Sequence, residues 1–110
     1  MENIKNEEAI TEIKKLTEPI FKEYGVEKAY VFGSYARGDY NENSDIDIII
    51  SSKNIRSLLI IGALLEDLKQ VLEKRVSLIE EEYFKENEID ELDQEFYDNL
   101  KRERVIIYSD

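Results

Sequence analysis

Gly33 and Ser34, followed after a ten-residue spacer by Asp45-Ile46-Asp47, are the residues of this chain whose types and spacing could do chemistry. A glycine lets backbone N–H groups approach an anion closely, and the Ser34 hydroxyl adds a donor. If the pair ends a strand and opens a helix, the helix N-terminus favours a phosphate at the same place. Arg37, about one turn further on, could reach either that phosphate or an acidic neighbour such as Asp39. Asp45 and Asp47 stand at i and i+2, so on a strand they share one face with Cα atoms about 6.5 Å apart. The neighbouring Ile46, Ile48, Ile49 and Ile50 mark that strand as buried. Two carboxylates there repel unless a cation lies between them. A hard divalent ion, Mg²⁺ or Mn²⁺, supplies that charge and can bridge to a nucleotide's phosphates. Asp45 and Asp47 are therefore the candidate metal ligands and catalytic carboxylates, and Gly33, Ser34 and Arg37 the candidate nucleotide-binding residues. Either fragment alone is more readily an ordinary corner or a strand mouth. Both at this spacing arise by chance in on the order of 1 in 1,000 chains of this length, at roughly 5–7% for each residue type.

The elements that must position these residues follow from hydrophobic periodicity. Ile10, Ile13, Leu16, Ile20, Phe21 and Tyr24 predict an amphipathic helix over 7–24, with a kink or restart at Pro19 and a C-cap at Gly25. Strands are predicted over 28–32 and 45–50, and the strongly periodic segment 55–72 as a helix. A short strand over 75–79, a helix over 92–102 and a last strand over 104–108 complete the chain. Helices alternating with strands predict an α/β (α+β) class, a single domain spanning 1–110 with a small sheet flanked by helices. Tyr24, Tyr30, Phe32, Phe96 and Tyr97 fall on apolar periodicities and read as core rather than as a base-stacking platform. Lys101, Arg102 and Arg104 read as cations complementing a helix end.

Composition excludes whole classes of mechanism. The 110 residues contain no cysteine and no histidine, which removes disulfides, thiolate chemistry, zinc sites and imidazole catalysis. The net charge of −11 argues against direct nucleic-acid binding. Most of it lies between residues 80 and 98, which hold ten acidic side chains and one lysine. That run reads as a solvated surface, with a docking face for a basic partner as the functional alternative. No apolar run approaches a membrane span and the acidic start lacks a signal-peptide pattern, so a soluble cytoplasmic protein is expected.

Gly33-Ser34, the ten-residue spacer and Asp45-x-Asp47, with Arg37-Gly38 inside, resemble the signature of the minimal nucleotidyltransferases of the DNA polymerase beta superfamily. The likeness in length and element order runs from about Ile10 to Tyr108. It implies a nucleotidyltransferase fold, a small mixed β-sheet flanked by helices. It also implies an antitoxin that transfers AMP from Mg-ATP to a tyrosine of a partner HEPN-domain ribonuclease toxin. Carried over, Gly33 and Ser34 would hold the triphosphate, and Asp45 and Asp47 the metal ions. One departure stands out: active members usually carry a third carboxylate in a pattern similar to Val-Asp-Leu-Val, and here the matching residues are Val76-Ser77-Leu78-Ile79. Ser77 is a weak, neutral ligand for Mg²⁺. Nucleotide binding is therefore expected to survive better than transfer, and occlusion of the partner without catalysis is the rival reading. Modification of RNA or of an antibiotic fits less well, since so short a chain has no separate substrate domain and no basic groove.

Overall fold

Helix α1 (Glu2–Tyr24) buries Ile10, Ile13, Thr17 and Phe21, one stripe at helical spacing. The computed structural model describes residues 2–53, 55, 57–83 and 91–110; residues 84–90, the middle of the acidic run, lie outside the described residues. Of the kink or restart expected at Pro19, there is no restart: α1 runs through it. Pro19 denies a donor to the carbonyl of Lys15, but both residues are on the exposed side, where the lost bond costs less than in the core. The buried Thr17 hydroxyl donates to the Ile13 carbonyl at 2.7 Å. Gly25, at φ 72°, ends the helix as expected, with Val26 N–H reaching back to the Phe21 carbonyl.

The remaining elements are β1 (Lys28–Phe32), α2 (Ser34–Arg37), β2 (Ile46–Ser51), α3 (Leu58–Leu72), β3 (Val76–Glu80), α4 (Glu91–Glu103) and β4 (Val105–Ser109). Helix α3 starts three residues later than the periodicity suggests because Ser57 caps it, its hydroxyl accepting the Leu59 N–H at 3.2 Å. The four strands form one sheet in the order β3-β2-β1-β4. β1 is antiparallel to β2 and β4, whereas β2 and β3 run parallel, joined through α3. This is the small mixed sheet with flanking helices that the family resemblance implies.

Strand alternation divides the sheet into two faces. Ala29, Val31, Ile48, Ile50 and Val76 join the core built with α1 and α3. Phe32 and Ile49 face the other way and pack with Leu100 of α4, with Tyr30 and Ile79 beside them. Ile48, Ile49 and Ile50 are thus buried in succession, the pattern of a strand covered on both faces. Each contributes about 1.5–3 kcal/mol of apolar burial, which anchors the strand that carries Asp47.

A buried charge cluster holds α4 against its face. Glu81, just beyond β3, accepts from the Tyr97 hydroxyl at 2.9 Å and from Arg104 at 2.6 Å. The Arg104 guanidinium also lies 4.0 Å from the centre of the Tyr30 ring. Arg104 is therefore a partner in a buried ion pair and not only a cation near a helix end. Burial, then the hydrogen bond to Glu81, pushes the Tyr97 hydroxyl up to about 12. Phe96 departs from the core role expected of it and is 44% exposed. No helix among the described residues is long and apolar enough to cross a membrane.

Candidate active site

Where β1 ends, Gly33 adopts φ 70° and ψ −145°, a conformation open essentially to glycine alone. Space imposes the same choice, because a Cβ at Gly33 would lie 2.5 Å from Oδ2 of Asp47. The Gly33 carbonyl accepts from Ala36 and Arg37, and Gly38 at φ 89° closes the single turn of α2 by donating to Ser34. Ser34 therefore stands at the head of a turn whose first N–H groups the helix itself does not use. Replacing Gly33 with Ala is expected to cost roughly 2 kcal/mol or more and to displace the Asp47 carboxylate. Gly62, on the exposed face of α3 with nothing within 4 Å of an added Cβ, is the control. Its replacement by Ala should leave stability equal or raise it by up to about 1 kcal/mol. Thermal melts of the two variants check this, and equal stability of both would contradict the close approach.

Asp47 sits on β2 between Phe32 on β1 and Ser77 on β3, level with both in the ladder. Burial raises its carboxyl above the ordinary range, and the nearby Asp45 raises it further against a lowering influence from Arg37. Asp45 lies one residue before the strand and is exposed. Its Oδ1 is 2.9 Å from Nε of Arg75, whose Nη2 also donates to the Asn43 carbonyl at 2.8 Å. The intervening loop is tied down by Asn41 and Ser44, the Asn41 N–H donating to the Ser44 hydroxyl at 2.9 Å.

Gly33, Ser34, Arg37 and Asp47 line one cavity of about 510 Å³. Asp45 is not among its lining residues. The opposite wall comes from α4: Phe96, Asn99, Leu100 and Glu103. Sequence reasoning missed this wall, and Arg75 with it. The signal was present as i, i+3, i+4, i+7 spacing, but two of the four positions are polar, so the stripe did not read as a buried face.

Among the described residues, no three carboxylates gather at one point to hold an ion. Mg²⁺ does not require that, since it is commonly held by one or two carboxylates with water and substrate phosphates completing the shell. Asp47, half-buried and facing the cavity, fits as one such ligand, its carboxyl raised first by burial and then by Asp45. Asp45 is paired with Arg75 and becomes the second ligand only by exchanging that partner for the ion. Ser77 is in register with Asp47 on β3, so a hydroxyl and not a carboxylate stands at that position. Glu81, sharing strand parity with Ser77 but about 13 Å along at strand rise, is occupied by Tyr97 and Arg104 at the far end of the face. It does not replace a carboxylate at 77.

Comparison with known proteins identifies the family. A family model described as a nucleotidyltransferase domain matches residues 7–107. A Methanocaldococcus jannaschii protein, named as a candidate protein adenylyltransferase, is 43% identical over 70 residues, covering 64% of this chain and 75% of that one. The protein adenylyltransferase MntA of Thermococcus cleftensis is 45% identical over 56 residues, covering 51% of this chain and 57% of that one. Among solved structures, a toxin–antitoxin crystallised with AMP-PNP superposes with a TM-score of 0.69 at 17% identity, over 88% of this chain and 73% of that one. A complex of a tri-AMPylated Shewanella oneidensis HEPN toxin with its MNT antitoxin gives 0.57 at 14% identity, over 100% and 74%. The two structural likenesses concern the fold, whereas the family match spans nearly the whole chain and includes both the Gly-Ser corner and the Asp-x-Asp strand, so the chain belongs to the nucleotidyltransferase domain family.

Proposed function

We propose that this chain is an antitoxin that transfers AMP from Mg-ATP to a tyrosine hydroxyl of a partner HEPN-domain toxin. The observation that carries the reading is the contact between Asp47 and the Gly33 corner, which brings a half-buried carboxylate beside a turn suited to phosphate. The adenylyltransferase names of its relatives and the toxin–antitoxin complexes of its structural neighbours support the substrate and the partner. In the reaction the tyrosine oxygen forms a bond to the α-phosphorus, the bond to the bridging oxygen breaks, and pyrophosphate leaves with that electron pair. Gly33 and Ser34 orient the phosphates, and Arg37 offsets their charge. With no histidine in the chain, a carboxylate, Asp45 or Asp47, takes the hydroxyl proton. A divalent ion held by Asp47, and by Asp45 once it has released Arg75, would offset charge on the phosphate oxygens and acidify the attacking hydroxyl.

Intact-mass measurement on the mixed pair, with ATP and Mg²⁺, tests the reading. The partner should gain the mass of one or more AMP groups. A stable, inhibited complex without any gain would instead favour neutralisation by occlusion, the reading that Ser77 beside Asp47 keeps in play.

A further inference from the structure

Arg37 has two acidic partners, one local and one brought in by the fold. Its Nε donates to Asp39 at 3.2 Å, and its Nη1 donates to Glu103 at 3.3 Å. Glu103 closes α4, and the next residue, Arg104, is drawn onto the buried Glu81. The end of α4 is thus anchored from below while Glu103 reaches across to α2. Arg37 and Glu103 line the same cavity as Ser34 and Asp47. A guanidinium fork engaged by carboxylates at two of its nitrogens cannot offer those donors to a phosphate at the same time.

We infer that Glu103 is a built-in competitor for Arg37: it holds the guanidinium in the nucleotide-free protein, and the phosphates of an arriving nucleoside triphosphate displace it. The inference rests on the nucleotide-binding reading above and adds to it a residue that sets affinity. Nucleotide binding is then an exchange of one anionic partner for another. Its net gain is smaller than that of a free arginine meeting phosphate. The exchange reverses when pyrophosphate leaves, because Glu103 is held close enough to recapture the fork. Both side chains are nearly half exposed, so the competing pair is a modest one and the expected effect is correspondingly modest.

Titration of Mg-ATP into the wild type, Glu103→Gln, Asp98→Asn, Arg37→Met and the double variant Arg37→Met/Glu103→Gln tests this, followed by NMR so that millimolar affinities are still measured. Glu103→Gln should tighten binding about threefold to fivefold. Asp98→Asn removes a charge from the same helix, at a residue paired with Lys101, and should leave the affinity unchanged. In the Arg37→Met background, Glu103→Gln should have no effect. An unchanged or weaker affinity for Glu103→Gln overturns the inference, as does an equal gain in the Arg37→Met background, which would mean general repulsion of phosphate. If none of the proteins binds Mg-ATP while all melt normally, the nucleotide reading itself falls.

Discussion

Replacement of Asp47 by Asn is expected to lower AMP transfer by on the order of 10³-fold while making the metal-free protein more stable. The two effects share one cause. Asp47 is half-buried, lies near a second carboxylate and has its carboxyl raised by both, so its ionised form is disfavoured in the folded chain. Asn keeps the shape and removes the charge. The sign with pH follows from the same shift. A carboxyl raised on folding binds its proton more tightly in the folded than in the unfolded chain, so it costs stability above its folded value and that cost disappears as the pH falls through it. The stability advantage of Asp47→Asn should therefore be largest near neutral pH and shrink toward mild acid. Melting curves in EDTA at several pH values measure it, and a shift of a few degrees at neutral pH is the scale expected for a domain of this size. An Asn variant less stable than wild type at every pH would show that the carboxylate is held by favourable partners, and the argument for a missing cation would fail.

Converting Ser77 to Asp is expected to raise transfer roughly tenfold or more while leaving the dissociation constant for Mg-ATP within a few fold. The register places residue 77 level with Asp47 on the adjacent parallel strand, so the new carboxylate would stand beside the existing one. Without metal the addition is unfavourable, since it adds a like charge next to a carboxyl that is already raised. With Mg²⁺ the sign reverses, because the ion binds the folded chain and not the unfolded one. The variant should consequently melt lower than wild type in EDTA and show a larger upward shift on adding Mg²⁺. That thermal signature is independent of catalysis and separates a metal-binding role from a substrate effect. Equal transfer by both forms would mean that another group already serves at this position, and an equal Mg²⁺ shift would remove Ser77 from the metal argument.

Much of the candidate site was legible because its residues are local in sequence. Gly33, Ser34 and Arg37 lie within five residues, and the conformation that only glycine tolerates occurs at the expected corner. Asp47 follows on a strand whose isoleucines announced its burial. The wall formed by Phe96, Asn99 and Glu103 was not legible, because which face of α4 meets the cavity depends on a helix packing against a sheet from far along the chain. Arg75 escaped notice for a similar reason. It precedes β3, and only the parallel pairing of β2 with β3 brings the start of that strand beside Asp45. Whether Pro19 would end the helix was not legible either, because its cost depends on which side of α1 is covered.

The amino-acid sequence by itself determined the order and type of the elements, the glycine corner, the paired carboxylates and the exclusion of thiol and imidazole chemistry, since each depends on residue type and short-range spacing. Only the tertiary structure decided that Asp47 faces the cavity while Asp45 is held outside it by Arg75, and that Glu103 meets Arg37 across the cavity. These are meetings of charges distant in the chain, and their energies depend on separation and burial, quantities that come into existence only when the sheet and helices pack.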